Sequence, residues 1–319
     1  PLPGAKAANA INTGQKCSIE FDISGNSSEL LSASIPVNLY KVASVDESGN
    51  YTGIGAFSKL DLSSVSADNL DAAAATWAER AKEAQGKLTD SEGNTVVDPT
   101  ETVTLQNGRG YQDKLDTGLY LVDTPKVITT NYTYTFTPYL VSLPTNNYYN
   151  NDQTSDDWIY DLTKEYNSAV GLKPEQHVRY GNLVINKELV DHNATFGNNA
   201  TFVFQIDITT LDKKTETRIE ELTFSAAGDD SVTITKIPAG SHVKVTEVYS
   251  GASYELASAK SQKTDIIANP EKKSEVEFRP AEVSFINKHD GRSNGGYGVK
   301  NNFKLDENGQ YQYTKPAAK

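Results

Sequence analysis

Leu183-Val184-Ile185-Asn186-Lys187 is the stretch that decides how this chain folds, because its apolar side chains alternate and its last residue is a lysine. Two later stretches have the same form. Val243-Lys244-Val245-Thr246-Glu247 ends on a carboxylic acid, and Val283-Ser284-Phe285-Ile286-Asn287 ends on an amide. A β-strand turns every second side chain toward the same face, so each stretch predicts a strand that carries its final polar residue into a core.

The three polar residues that end these strands form a candidate chemical site. Burying an amine, a carboxyl and an amide together costs free energy unless the groups pair or react. If Lys187 reacts with Asn287, the product is an isopeptide crosslink, and the role of the protein is mechanical rather than catalytic. The alternatives are an ordinary buried salt bridge between Lys187 and Glu247, or a lysine that reaches solvent along the sheet edge.

The chemistry of such a crosslink requires these residue types. Burial favours the neutral amine of Lys187, which is the nucleophilic form. The same burial raises the pKa of Glu247, so that its carboxylic acid can hydrogen-bond the amide carbonyl of Asn287 and shuttle protons while ammonia leaves.

Composition bounds the class of protein. A chain of 319 residues predicts two or three domains. Its formal net charge of −12 argues against nucleic acid and anionic membranes as partners. No stretch approaches the roughly 20 apolar residues that span a bilayer, which predicts no membrane contact. The single cysteine, Cys17, permits no disulfide within the chain.

Sequence motifs for enzymes, metals and cofactors are not found. The four histidines are scattered without ligand-like spacing, which predicts no metal site. The chain has no nucleophile-elbow motif and no phosphate-cradling glycine loop. We therefore predict no cofactor, and no enzymatic activity apart from a single intramolecular turnover.

Short alternating segments separated by turn residues predict a mainly β protein with two tandem β-sandwich domains. The exception is an alanine-rich segment with a capped start, which predicts a helix at 66–85 inserted in the first domain. Leu172-Lys173-Pro174-Glu175-Gln176 is typical of a linker. The predicted organisation is a flexible N-terminal segment at 1–16, a first domain at 17–176, a second domain at 177–290 and a C-terminal tail at 291–319.

The second domain resembles the CnaB-type, immunoglobulin-like domains of Gram-positive pilins that sortases assemble. Gly181 to Lys187 is similar to the first strand of that family with its bond-forming lysine. Ile237 to Glu247, followed by Tyr254-Glu255-Leu256, resembles the segment called the E-box, and Val283 to Lys288 is similar to the last strand with its acceptor asparagine. The resemblance implies an isopeptide bond between Lys187 and Asn287 that Glu247 promotes.

The first domain resembles the N-terminal domain of the same pilins but departs from it at the bond. Gly118-Leu119-Tyr120-Leu121-Val122-Asp123-Thr124-Pro125 is similar to an E-box with Asp123 in the acid position. Ile23 stands where the family has its lysine, and Lys41 in the next strand is a poor substitute. Asp123 is therefore expected to be a vestigial acid, and no crosslink is predicted in this domain.

In shaft-forming pilins a sortase joins a lysine near the end of the N-terminal domain to the C-terminus of the next subunit. The resemblance implies Lys173 as this lysine, with Lys164 as the alternative. It also implies an extracellular, cell-wall-anchored pilus, a tail that precedes a removed sorting signal, other pilin subunits as partners and a host surface ligand. The alternative is a basal pilin or a non-polymerising adhesin that binds a host protein or glycan, for which the polar loop 146–157 is a candidate.

Overall fold

The computed structural model of the chain describes residues 9–67, 74–145, 158–163, 171–194, 199–272, 277–292 and 302–314. Strands dominate these residues, which confirms the predicted mainly β fold class. The chain forms two compact units. The first contains the chain up to Thr129 together with Thr133–His177, and the second contains Thr130–Tyr132 and the chain from Val178 onward. None of the described helices is long and apolar enough to cross a membrane.

In its described part, the first unit combines strands with the helices α1 and α2 and a 3-10 turn. Its elements are β1 (Cys17–Asp22), α1 (Ser28–Leu31), β2 (Ile35–Val45), β3 (Tyr51–Gly53), the 3-10 turn Gly55–Phe57, α2 (Ala74–Gln85), β4 (Glu101–Leu105), β5 (Arg109–Leu115), β6 (Gly118–Asp123), β7 (Val127–Ile128), β8 (Tyr132–Phe136), β9 (Tyr139–Leu143), β10 (Asp161–Leu162) and β11 (Pro174–Val178).

These strands form three sheets. One has the order β10-β1-β5, and within it β1 and β10 run parallel. A larger sheet has the order β3-β2-β6-β9, with β4 also paired to β2. The third has the order β11-β8-β7. On β6, Leu119 and Leu121 belong to the same buried cluster as Ala81 and Ala84 of α2. Because side chains alternate along a strand, Tyr120 and Val122 face away from the helix.

The predicted inserted helix is present as α2, which ends at Gln85 as expected. Its described part begins at Ala74, whereas Ser66 at the predicted start is not helical. Residues 68–73, between these two points, lie outside the described residues. Ala81 is fully buried and Trp77, four residues earlier, packs against the same cluster, so both residues lie on the apolar face of the helix.

Two predictions about connecting segments need correction. The segment 1–16 was expected to be flexible, but in its described part, residues 9–16, Ile11 is buried and its N–H donates to the Glu47 carbonyl at 2.9 Å. The indole N–H of Trp158 donates to the Asn9 carbonyl at 2.5 Å and holds the same segment. The expected linker at 172–176 contains a buried Leu172 and the start of β11. Each of these polar stretches contains one buried apolar side chain, Ile11 or Leu172.

The second unit is built from strands alone in its described part. Its elements are β12 (Tyr180–Leu189), β13 (Ala200–Thr209), β14 (Thr215–Phe224), β15 (Gly228–Pro238), β16 (His242–Tyr249), β17 (Tyr254–Leu256), β18 (Ser261–Asp265), β19 (Ala281–His289), β20 (Asn302–Leu305) and β21 (Tyr311–Thr314).

Eight of these strands form a sandwich of two sheets, with orders β15-β12-β19-β17 and β14-β13-β16-β18. β12 and β19, the first and last strands of the sandwich, lie side by side and run parallel. A single buried cluster takes side chains from both sheets, among them Leu183, Ile185, Phe202, Phe204, Val243, Val245, Val283 and Phe285. The alternation seen in the sequence therefore directs these residues into one core.

The start of β12 requires a glycine. At Gly181 a Cβ would lie 2.0 Å from the Ile267 carbonyl oxygen, so only a residue without a side chain permits the bridge between Gly181 and Ala268. At the other end of the unit, the expected tail contains the hairpin β20–β21. Gln310 in its turn donates through its side chain to the Thr215 carbonyl of β14 at 3.3 Å.

Candidate site for an intramolecular crosslink

Lys187 is buried in the core of the second unit. It follows Leu183 and Ile185 on the inward face of β12, and only 1% of its surface is exposed. Its Nζ lies 4.3 Å from the centre of the Phe202 ring, which covers it from the opposing sheet. The amine is thus held away from water by the alternation of its own strand and by an aromatic side chain of β13.

Asn287 lies beside it on β19 and is completely buried. In the parallel register Asn287 is opposite Leu189, so its side chain and that of Lys187 are diagonal neighbours on one face of the sheet. The Lys187 amine donates to Asn287 Oδ1 at 2.5 Å and to the Glu188 carbonyl at 3.0 Å. The amine and the amide are therefore in direct contact.

Glu247 reaches the same point from the opposing sheet. It lies on β16 opposite Phe204 of β13, and 1% of its surface is exposed. The Asn287 amide nitrogen donates to Glu247 Oε1 at 2.7 Å. The second carboxyl oxygen, Oε2, is buried and has no hydrogen-bond partner within the described part of the chain. The structure thus brings together all three residues that the sequence singled out.

Burial sets the electrostatics of this site. It lowers the pKa of Lys187 from 10.5 to about 8, although the nearby Glu247 and Glu188 charges favour the protonated amine. Burial also raises the pKa of Glu247 above 4.5, and the Ser250 hydroxyl, the Asn287 amide and the Lys187 charge offset this only in part. Both shifts raise the populations of the neutral amine and the neutral acid, which together are the reactive protonation state, above those of the same groups in water.

The position of Glu247 differs in one respect from the expectation. The acid was expected to hydrogen-bond the amide carbonyl of Asn287, but that oxygen faces Lys187, and Glu247 contacts the amide nitrogen instead. An acid at this position can deliver a proton to the nitrogen that would depart as ammonia. Proton delivery to the leaving group is thus the role that the geometry supports.

Phe202 is the site residue that the sequence analysis did not assign. The residues Phe202-Val203-Phe204 are typical of a strand, but nothing in the sequence indicates which inward ring covers the lysine. Tyr254 packs edge-on against Phe202, with ring centres 5.6 Å apart, and extends the aromatic wall. An aromatic residue opposite a predicted buried lysine is the signal that could have been used.

The first unit does not repeat this arrangement at Asp123. The Asp123 carboxylate accepts a hydrogen bond from the Gln85 side chain of α2 at 2.7 Å, so it lies on the face of β6 that the helix covers. Ile23 is buried after the end of β1. Lys41 passes over Gly118, and its charge adds to the hydrogen bond from Lys16 that lowers the pKa of Asp116. These contacts give Asp123 a structural partner in α2.

The two candidate linkage lysines are placed differently. Lys173 is exposed directly before β11, whereas Lys164 lies outside the described residues, as does the candidate ligand loop 146–157. Across the ranges that the structure describes, no group of three or more His, Cys, Asp or Glu side chains could hold a metal ion. Cys17 is buried, which raises the pKa of its thiol to about 12.

Comparison with known proteins gives one family match, which covers about a third of the chain. Residues 183–290 match the family described as "Domain of unknown function (DUF5979)", a range that contains all three residues of the site. No curated protein is significantly similar to the chain in sequence.

Several solved structures resemble the chain at low identity. The minor pilin GBS52 of Streptococcus agalactiae is 13% identical, with 86% of this chain and 96% of that chain covered and a TM-score of 0.24. The major pilin SpaD of Corynebacterium diphtheriae is 12% identical, with 89% and 100% covered and a TM-score of 0.27. The major pilin of Streptococcus pyogenes is 13% identical, with 86% and 98% covered and a TM-score of 0.21. TM-scores of this size do not establish a shared fold, so the architecture above rests on the strands of the chain itself.

Proposed function

We propose that this protein is a structural subunit of a covalently polymerised surface fibre, and that its second unit is locked by an amide bond between Lys187 and Asn287. The observation that carries the crosslink is the buried contact of an amine, an amide and an acid on three strands of one core. Without a reaction, the folded protein would keep the free-energy cost of burying the Lys187 amine and a Glu247 carboxyl oxygen that has no hydrogen-bond partner among the described residues.

The proposed reaction balances within the three side chains. The Lys187 nitrogen attacks Asn287 Cγ, and the bond from Cγ to Nδ2 breaks. Glu247 accepts a proton from the attacking nitrogen and delivers one to the departing nitrogen, which leaves as ammonia. The acid is regenerated, and no oxidant, metal or cofactor enters the balance. Each chain reacts once, so the protein is not an enzyme in the usual sense.

The position of the bond suits a mechanical role. β12 and β19 are the first and last strands of the sandwich, and their register pairs Leu183 with Ala281 through Leu189 with Asn287. Tension between the ends of the sandwich would otherwise have to be resisted by the hydrogen bonds of these strands. A covalent link between the two strands would carry that load instead.

The proposal of a fibre is based on the order in which the three motifs of the second unit occur in the sequence, and on their resemblance to sortase-assembled pilins. We infer an extracellular, cell-wall-anchored protein whose partners are further pilin subunits, joined by a sortase, with Lys173 as the acceptor amine. Adhesion to a host surface ligand would be a property of the assembled fibre.

Intact mass spectrometry of the whole chain tests the crosslink. The expected mass is that of the sequence less one ammonia, and a digest is expected to yield a branched peptide that joins Lys187 to Asn287. Lys187→Ala is expected to restore the sequence mass. The matched control is Lys288→Ala, which removes an exposed lysine of β19 and leaves the ammonia loss intact. A wild-type mass equal to the sequence mass would exclude the bond.

A further inference from the structure

Just before Asn287, the backbone of β19 forms hydrogen bonds with side chains on the side of the strand that faces away from β12. β17 pairs with β19 only from Asn287 to His289, so the backbone groups of Ser284 and Ile286 lie beyond the end of that strand. Unpaired backbone groups at a sheet edge leave a strand free to shift. The hydrogen bonds of these two residues therefore add to the pairing with β12 and β17 that holds Asn287.

The side chain of Gln262 forms hydrogen bonds with the backbone of Ser284, as a neighbouring strand would. Gln262 belongs to β18 in the opposing sheet, where it pairs with Val245. The Ser284 N–H donates to Gln262 Oε1 at 3.2 Å, and the Gln262 side-chain amide donates back to the Ser284 carbonyl. One side chain thus satisfies both backbone groups of Ser284, as a neighbouring peptide group would, and ties the edges of the two sheets together.

Ser258 forms the equivalent hydrogen bond with Ile286, the residue directly before Asn287. The N–H of Ile286 donates to Ser258 Oγ at 3.0 Å, and the Ala257 N–H donates to the Ile286 carbonyl at 2.8 Å. Both backbone groups of the residue immediately before Asn287 are therefore fixed by the segment that follows β17.

The same segment also holds the acid. The Glu247 N–H donates to the Lys260 carbonyl at 3.0 Å, where the chain leaves Ser258 and enters β18. Thr246 pairs with Ser261 at the start of β18, and their hydroxyl groups lie 2.8 Å apart. Residues 257–262 thus form hydrogen bonds with the strand that carries the amide and with the strand that carries the acid.

We propose that Ser258 and Gln262 are positioning residues for the amide-forming reaction, which fix Asn287 against Glu247 before Lys187 attacks. The inference rests on the proposed crosslink and deepens it. Both side chains form hydrogen bonds with the backbone of β19 and none with the reacting atoms. Each therefore acts on the rate by fixing the position of β19. Displacements of about an ångström at a reacting centre cost up to roughly a hundredfold in rate.

The test measures the rate of ammonia loss after cell-free synthesis of the full chain, with samples quenched in acid and denaturant and weighed intact. Ser258→Ala and Gln262→Leu are expected to slow the loss by about tenfold to a hundredfold. Ser258→Thr keeps the hydroxyl acceptor and is expected to restore the rate. Lys263→Ala, the matched control, removes an exposed side chain of β18 next to Gln262, and is expected to react at the wild-type rate.

Two readouts separate positioning from a general loss of structure. A positioning variant keeps the pH at which the reaction rate changes, because Lys187 stays buried, whereas a site opened to water would shift that pH toward the ordinary lysine pKa. Each variant is also unfolded in an Asn287→Ala background, where no crosslink can form, and is expected to unfold cooperatively there. Wild-type rates in both variants, a shifted pH dependence or a failure to fold in that background would overturn the positioning role. If the wild-type chain itself never loses ammonia, the crosslink proposal fails instead.

Discussion

Lys187 and Asn287 are 100 residues apart in the chain, and their side chains meet at 2.5 Å because their strands are parallel neighbours. Parallel neighbours cannot be joined by a tight turn, so the intervening chain must cross to the other sheet and return. On that path it supplies Glu247. One topological feature thus places the amine beside the amide and brings the acid from the opposite side.

Removing the carboxylic acid of Glu247 while keeping its shape is expected to stop the reaction. In the Glu247→Gln variant the side-chain oxygen can still accept from the Asn287 amide, but no group remains to carry protons to the leaving nitrogen. We expect the full sequence mass by intact mass spectrometry, and faster cleavage of the second unit by protease. The matched control is Glu255→Gln on β17, whose carboxylate is exposed and pairs with Lys288. A normal ammonia loss in Glu247→Gln would remove the acid from the mechanism.

The pH dependence of the reaction reports the role of Glu247. The reactive pair of neutral amine and neutral acid has the same number of protons as the ion pair, so its population is constant between the two pKa values. The pKa of Lys187 is lowered to about 8. We therefore expect a flat rate below about pH 8 and a fall of about tenfold per pH unit above it.

At low pH the reaction rate is expected to fall, and the pKa of Glu247 sets where this fall begins. The pKa of Glu247 is raised above 4.5, so the rate is expected to begin its acid-side fall above that pH, where the doubly protonated pair accumulates. The measurement is ammonia loss after synthesis across a series of buffers. A rate that instead climbs with pH up to about 8 would mean that Glu247 acts as a base in its charged form.

The crosslink is expected to stabilise the second unit by restricting its unfolded state. By analogy with a disulfide, closing a loop of about 100 residues contributes roughly 4–5 kcal/mol. Calorimetry of the wild type and of Glu247→Gln compares the unit with and without the bond, since the variant keeps the hydrogen-bond acceptor for Asn287. We expect a lower unfolding temperature for the second unit only. Equal unfolding temperatures in the two proteins would contradict this stabilisation.

Alternation was sufficient to predict the strands that carry the site. The side chains of Leu183, Ile185 and Lys187 all point inward because side chains alternate every second residue along a strand. The two other stretches have the same alternation. The contact between the three strands required the topology, which the order of the motifs indicated through their resemblance to a known family. The position of Glu247 on the amide nitrogen had no signal in the sequence.

The residues around the site were harder to predict because their roles depend on tertiary contacts. Ser258 and Gln262 lie in a polar stretch with the composition of an ordinary turn, yet they satisfy the backbone of a strand from the opposing sheet. Ile11 is one apolar residue among small and polar ones, and it is buried against Val45, Ala67 and Trp158, which are distant in the chain. Local composition does not encode such partners.

Asp123 is expected to contribute to the stability of the first unit and not to any crosslink. Its hydrogen bond with Gln85 anchors α2 to β6, and a bond of this kind contributes about 1 kcal/mol. Asp123→Ala is expected to lower the free energy of unfolding by about that amount and to leave the mass one ammonia below the sequence mass. Gln85→Ala should have a similar effect, and the double variant should lose less than the sum. A wild-type chain that loses two ammonia molecules would show that the first unit also crosslinks.

Lys173 is expected to be the amine that a sortase joins to the next subunit. It is exposed directly before β11, where the C-terminus of another subunit can reach it. Incubation of the full-length protein with its cognate sortase should give ladders of covalent multimers on a denaturing gel, and Lys173→Ala should abolish them. Lys126→Ala in the first unit is the control and should leave the ladders intact. Ladders that persist in Lys173→Ala and disappear in Lys164→Ala would assign the linkage to Lys164. The crosslink variant Glu247→Gln should still form ladders, because the two amide bonds use different lysines.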